Sequence, residues 1–562
     1  MAMTGLKIIV TIGPSSAEKG ILKKMIENGA SAVRINTAHV DTSYLSYVRK
    51  IIDEINDELN SHVGMLVDLK GPELRVSTID HETVTIHAGM HYNLYEQTGG
   101  EISLNRENVI SLLKPGIVIK MSDGRLSFRV KEVFDDHCSV EAMLNGNLRD
   151  NSRVNIPGVP LNLGVLTERD RRFIREGVKN RAEYFAMSFV QQQEDVLLVE
   201  EEIRKRGGRG EIIAKIETLK GYENIREIAE VSEMIMVARG DLGVELPLAE
   251  IGIAQKHIIR VAHNLGRPAI LATQILESMV DSPEPTRAEI SDVTNAVIDN
   301  TDVLMLSEET AIGKYPARSV KYLQRISGFA LRSIGRLTEP ETYYGNEVTF
   351  AICRSAKMVA DMIDASGIIA FTRRGNTAKM LSVLRTGRPV YAVVTDTFLA
   401  RKLNLLYGVR PVLLSSLNPA TTNLKEVLKV IYGTKLFMSG RRYVLVSGLP
   451  YFLFGGTNDV RVVTMGEYMG RGYPFGPDAS GHVVFSEDGE GNILVVDSRS
   501  CSGDLSKFKG VIFTDRPPRI CLKTLLSMGV ALLIDAQFSM SPKKGDKIMW
   551  DSKSGIITRV SS

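Results

Sequence analysis

Cysteine is scarce in this chain: four in 562 residues, at Cys138, Cys353, Cys501 and Cys521. So few and so scattered, they offer neither a disulfide framework nor a zinc cluster; they read as small packing residues and fit a reducing compartment. Tryptophan occurs once, at Trp550. No uninterrupted apolar run reaches the roughly 20 residues of a spanning helix, and MAMTGLKIIVTIGPSS has one basic residue before a short apolar run, so the expectation is a cytoplasmic protein without a membrane partner. A charge of one sign is missing too. Lys plus Arg number 69 against 66 Asp plus Glu, a formal +3, and no like-charge block stands out to follow a nucleic-acid backbone. No self-similar period is apparent, which argues against a solenoid or propeller. What is present is apolar residue, 44% of the chain, enough for several cores and roughly three or four domains of about 150 residues.

Eight short apolar runs of β type fall within the first 310 residues: Lys7 to Thr11, Ala32 to Asn36, Gly64 to Asp68, Tyr184 to Phe189, Ile212 to Glu217, Met234 to Ala238, Ala269 to Thr273 and Val303 to Ser307. Most are followed by helical spacing, and eight βα units predict a closed (β/α)8 barrel, a TIM barrel, over 1–74 and 161–336. The third connection is about a hundred residues long. Its short alternating segments, divided by Gly, Asp and Asn, predict an inserted all-β lid domain over 75–160. Beyond it the pattern restarts as an open-sheet α/β domain over 337–470. A Gly/Pro-rich joint, GRGYPFGPDASG at 470–481, then leads to an extra C-terminal α/β domain over 478–562.

In a barrel of this kind the chemistry sits where the strands end. The second strand closes Arg34-Ile35-Asn36 and the fifth Lys215-Ile216-Glu217, so each pair leaves the pleat on one face. The third ends at Asp68-Leu69 ahead of Lys70-Gly71-Pro72-Glu73-Leu74-Arg75, and the sixth runs into Arg239-Gly240-Asp241. Taken singly, a charged residue at a strand end is most often a solvated surface group. Gathered at one mouth, the cations Arg34, Lys215 and Arg75, the acids Glu217, Asp241 and Asp68, and the hydroxyls Thr273, Ser188 and Ser307 suit a phosphorylated, carboxylated substrate. Glu217 and Asp241 are what Mg²⁺ prefers, one or two carboxylates with room for substrate oxygens. Lys215 can neutralise a transferring phosphoryl group, and a helical turn starting at Gly240 and Asp241 would offer N–H groups to a substrate carboxylate. Alone, Lys215 would equally serve as a Schiff-base lysine; its acidic neighbours favour the metal site.

The strings TIGPSS, RIN, VDLKGPELR, KIET, MVARGDLGVELP, LATQILESM, PTRAEISDVTNAV and MLSEETAIGKYP closely resemble, in order, the pyruvate kinase family. The resemblance runs from Lys7 to about Gly466. It implies transfer of the phosphoryl group of phosphoenolpyruvate to ADP, giving ATP and pyruvate in glycolysis through an enolate, with Mg²⁺ or Mn²⁺ and often K⁺, by a homotetramer. By position it gives Glu217 and Asp241 to the divalent ion, Lys215 and Arg34 to the phosphoryl group, and Gly240, Asp241 and Thr273 to the carboxylate. Ser188 lies on the substrate side, Thr273 and Ser307 on a proton route, and Arg75 toward the ADP phosphates. Of the K⁺ ligands Asn36 and Asp68 match, but the serine hydroxyl is replaced by Ala38, and Leu69 departs from the K⁺-dependent pattern. Glu308 stands where the family has glycine.

In the third domain Thr372-Arg373-Arg374-Gly375-Asn376-Thr377 follows a strand and precedes a helix, a setting that can hold a phosphate. It coincides with the family's effector loop and implies a sugar-phosphate or nucleotide effector. The tail resembles the swivelling phosphohistidine domain of phosphoenolpyruvate-utilising enzymes but lacks its histidine, so an interface role is expected there. Two rival readings differ in class: another phosphoenolpyruvate or pyruvate barrel enzyme such as a lyase, and a catalytically silent phosphometabolite sensor.

Overall fold

The computed structural model describes residues 5–78, 81–96, 100, 102–159, 161, 164–334, 339, 346–415, 428, 430–431, 434, 436–448, 456–486, 492–497, 499 and 504–560. By contacts the chain falls into two compact units. The first holds 1–350 with 378–387 and 396–411, and the second holds 351–377, 388–395 and 412–562.

In the first unit eight parallel strands close a barrel: β1 (Lys7–Thr11), β2 (Ala30–Asn36), β3 (Gly64–Leu69), β4 (Tyr184–Met187), β5 (Glu211–Ile216), β6 (Met234–Ala238), β7 (Ala269–Ala272) and β8 (Val303–Leu306). β1, β3, β4, β6, β7 and β8 are buried at every position, as strands covered on both faces must be. Register carries site residues onto one level, since Arg34 pairs with Leu66 and Asn36 with Asp68, while Lys215 pairs with Met236. Helices cover the outside by apolar stripes: Ser43–Leu59 buries Leu45, Val48, Ile52 and Ile55.

The insert after β3 forms a seven-stranded sheet with its own core around Leu94, Ile102, Ile119, Phe128 and Val140, and a two-stranded sheet beside it. Segments 378–387 and 396–411, expected with the third domain, pack in the barrel unit. Lys7 Nζ donates to the Val409 carbonyl at 2.7 Å. Arg385 pairs with the buried Asp302 at 2.6 Å.

The second unit contains a five-stranded sheet with Ile368–Phe371 at its centre, and a closed seven-stranded sheet that includes Glu467–Phe475, Ala479–Val484 and Ala531–Phe538. The supposed joint at 470–481 is therefore mostly strand. Its glycines serve close packing: a Cβ on Gly470 would meet the Gln537 carbonyl at 2.4 Å. Pro474 is tolerated because it lies past the stretch where the strand is paired on both sides, at Gly470 and Arg471, and itself pairs only with Leu533. Cys521 is also not the packing thiol expected, being disulfide-bonded; Cys138 and Cys353 are buried and free.

Candidate active site

β2, β3, β4 and β5 deliver one continuous charge network to the barrel mouth. Arg34 Nε donates to Asp68 Oδ2 at 2.7 Å, Nη2 lies 2.7 Å from the same oxygen, and Nη1 donates to Thr11 Oγ1 at 2.9 Å. Lys215 Nζ donates to Ser188 Oγ at 2.8 Å and lies 2.9 Å from Glu217 Oε1 and 3.3 Å from Asp68 Oδ1. Asp68 and Glu217 have side chains only 3% and 1% exposed, so these are buried ions whose charges must be compensated locally. Burial works against the Lys215 ammonium, but Asp68, Glu217 and Asp241 outweigh it and hold its pKa above the usual lysine range. An ammonium held in its charged form by three acids fits phosphoryl stabilisation better than a Schiff-base nucleophile, which must be neutral to react.

Glu217 and Asp241 stand at the ends of neighbouring strands. Burial pushes the Glu217 carboxyl up, and the like charge of Asp241 adds to this against Lys215. Asp241 is also penalised by burial, yet the Arg153 and Lys215 charges hold it below the usual carboxylate range. Two acids kept this close call for a cation. Among the described residues no group of three or more His, Cys, Asp and Glu comes together as a metal cage. A two-carboxylate site suits a hard divalent ion that keeps its other positions for water and substrate oxygens, so these residues fit Mg²⁺ or Mn²⁺.

The far rim is built on strained backbone. Thr273 and Gln274 have φ of +65° and +53°, costly above all for β-branched threonine. Arg239 holds this turn, donating to both of their carbonyls at 2.8 Å while pairing with Asp292 at 2.6 Å. The helix expected after β6 spans Arg239–Glu245. One expected carboxylate donor is already engaged, however, because the Gly240 N–H donates to Thr273 Oγ1 at 2.9 Å. Glu308 is exposed; its neighbour Glu309, 3% exposed, does the organising, accepting the Ser307 N–H at 2.7 Å and the Leu276 N–H at 3.0 Å.

Of the K⁺ candidates, Asn36 Oδ1 accepts the Ala38 N–H at 3.1 Å, Asp68 is engaged by Arg34 and Lys215, and the Leu69 carbonyl accepts Ser188 Oγ at 2.9 Å. Arg75 sits where the inserted sheet joins the barrel, donating to Glu73 Oε2 at 2.8 and 2.6 Å, and lines a cavity of about 690 Å³ with Arg125, Arg149 and Arg153. A residue the sequence reading passed over, Arg153, reaches from the lid to Asp241; its setting among short polar residues gave no signal. In the second unit the loop from Thr372 to Thr377 closes by Gly375 N–H donating to Thr372 Oγ1 at 2.9 Å, and Thr377 Oγ1 lies 2.7 Å from Thr457 Oγ1. Arg373 and Arg374 are exposed there. Phe454 and Gly455, which come just before Thr457 in the sequence, lie outside the described residues.

Comparison with known proteins bears on the same features. Residues 3–320 match the model for the pyruvate kinase barrel domain, and 350–463 that for the pyruvate kinase alpha/beta domain. A pyruvate kinase of Thermoplasma acidophilum is 43% identical over 99% of both chains. One of Thermotoga maritima is 36% identical over 99% of its own length but 82% of this chain. The crystal structure of a pyruvate kinase from Cryptosporidium parvum superposes with a TM-score of 0.75 at 31% identity, covering 82% of this chain and 96% of that one. With the barrel, the inserted sheet, the paired carboxylates and matches of this extent in agreement, the chain belongs to the pyruvate kinase family.

Proposed function

We propose that this site transfers the phosphoryl group of phosphoenolpyruvate to ADP, giving ATP and pyruvate. The observation that carries the reading is the Arg34–Asp68–Lys215–Glu217 network, which fixes two cations beside a two-carboxylate metal site at the barrel mouth. Glu217 and Asp241 hold the divalent cation, which when bound supplies Lewis-acid charge stabilisation. Arg34 and Lys215 bind the phosphoryl group. As the P–O bond to the enol oxygen breaks and one to the ADP β-phosphate forms, the electron pair left on the enolate is stabilised by the Lys215 ammonium. A proton then reaches the methylene carbon from the side of Thr273 and Ser307. Ser188 positions Lys215, the Asp241 N–H and Thr273 receive the carboxylate, and Arg75 faces the nucleotide. Pyruvate formation from phosphoenolpyruvate and ADP with Mg²⁺, coupled to lactate dehydrogenase, tests this; no turnover by folded protein across nucleotides and effectors would bring the lyase or sensor reading forward.

The monovalent site we read as weak: Ala38 offers no hydroxyl, and Asn36 and Asp68 already have protein partners. Exchanging K⁺ for a tetramethylammonium salt should change turnover less than about threefold, because a cation missing side-chain ligands binds poorly; strong K⁺ activation would show that backbone oxygens suffice. The loop from Thr372 to Thr377 is proposed to take the phosphate of a sugar-phosphate or nucleotide effector. Assembly as a homotetramer rests on the family alone, and light scattering decides it.

A further inference from the structure

Arg153 occupies an unusual position for a lid residue. Its Nη1 donates to Asp241 Oδ1, and its guanidinium stacks over the Phe189 ring at 4.7 Å. The Phe189 N–H in turn donates to Glu217 Oε2 at 2.9 Å. The guanidinium is thus ion-paired with one of the acids assigned to the divalent ion and feels the charge of the other. Its side chain is 15% exposed, yet Nη2 is buried without a hydrogen-bond partner. Its backbone is part of the lid hinge: Arg153 bridges Arg75, and the neighbouring Val154 N–H donates to the Leu74 carbonyl at 2.9 Å. Two more lid side chains grip the same barrel helix, Lys120 on the Val244 carbonyl and Asn155 on Glu245 Oε1 at 3.0 Å.

We propose that Arg153 is a resident counter-ion of the metal site, displaced when the divalent cation binds, so that metal occupancy and the set of the lid hinge are coupled. This rests on Glu217 and Asp241 being the metal ligands. A dication shared by the two acids would place like charges side by side in a largely buried site, where repulsion is poorly screened. The guanidinium therefore competes with the metal. In the metal-free protein it holds the lid on the helix Arg239–Glu245 through Asp241. Once displaced, it carries both Nη groups, one of them already unpartnered, toward the cavity it shares with Arg75, Arg125 and Arg149.

The test is Mn²⁺ binding followed by electron paramagnetic resonance, without substrates, in the full-length protein and in Arg153→Met, Arg153→Lys and Glu217→Gln. Arg153→Met should bind Mn²⁺ about tenfold more tightly than the parent, the scale of one charge-assisted hydrogen bond, with Arg153→Lys between them. Hydrogen exchange gives a second readout, because the Val154 amide should exchange faster when Mn²⁺ is added to the parent and be fast without metal in Arg153→Met. Equal or weaker Mn²⁺ binding by Arg153→Met, with binding by the parent intact and lost in Glu217→Gln, overturns the counter-ion role and leaves the metal site standing. Binding unaffected by Glu217→Gln overturns both.

Discussion

Replacing Lys215 by methionine removes one charge while nearly keeping the length of the side chain. Lys215 is the cation that faces both Glu217 and Asp68, at 2.9 and 3.3 Å. A unit charge about 4 Å from the oxygen on which charge develops is worth about 4 kcal/mol at an effective dielectric constant near 20. That corresponds to a loss of about 10³ in kcat. The KM for phosphoenolpyruvate should move by less than about tenfold, because Arg34 keeps its own anchors on Asp68 and Thr11 and still binds the phosphate uniformly in ground and transition states. The fold should survive: Asp68 retains Arg34, and Glu217 retains the Phe189 N–H. Steady-state pyruvate formation with varied phosphoenolpyruvate, beside a thermal melt, separates these effects. A folded variant with kcat within tenfold of the parent would refute the role given to Lys215, and an unchanged kcat with a large rise in KM would move it to ground-state binding.

Two further predictions concern the segments beyond residue 377 that pack in the barrel unit. Arg385→Met should cost about 3–5 kcal/mol by thermal or urea unfolding at pH 7, because it strips a buried carboxylate of its charge partner. Asp302 is penalised by burial but held well below the usual carboxylate range by Arg385 and His263, so wild-type stability from this cluster is present at neutral pH and is lost only as pH falls below about 4; a loss under 1 kcal/mol in Arg385→Met would show that His263 and the Ala269 N–H suffice. Lys7, buried beneath Val409, is lowered to about 7 by desolvation and, less, by Arg410. Between that value and the unfolded one the unfolded chain binds more protons, so this group makes stability rise with pH by up to about 1.4 kcal/mol per unit above pH 7. The melting temperature of Lys7→Met minus that of the parent should therefore shrink from pH 7 to pH 9, and a constant difference would show that Lys7 titrates normally.

The barrel was legible because its strands are buried on both faces: runs such as MIMVA and KIIVT match their observed bounds, and most of the others are off by only one or two residues. The charge network at the mouth was legible for a related reason, since polar side chains that close several buried strands gather at one end of the barrel. Arg34, Lys215, Glu217 and Asp68 all sit at such ends and all join one network. What failed depended on partners distant in sequence. Gly470, Gly472 and Pro474 read as part of a joint because their composition is that of a loop; they lie in a strand in which the Gln537 and Ile534 carbonyls approach the two glycines where no side chain fits. Glu308 drew attention through family comparison, but Glu309 is the acid that ties the turn after β8 to the one after β7.

Arg153 is the instructive omission. A reading by strand ends inspects the barrel and treats the lid as cover, yet the hydrogen bond that completes the site crosses 88 positions of chain from the lid to Asp241. The consequence is energetic as well as topological. Asp68, Glu217 and Asp241 each have a cationic partner within the protein, so the site is charge-paired before any substrate arrives. Arg34 and Lys215 are thereby fixed where a phosphoryl group can use them, with little reorganisation left to do during reaction. Lys215 also faces a metal ligand, Glu217, but keeps Asp68 as a second partner, whereas Arg153 pairs with the metal ligand Asp241. The pairing that preorganises two of the cations is, for the third, the pairing that must break, and that places the coupling between lid and metal on a single ion pair.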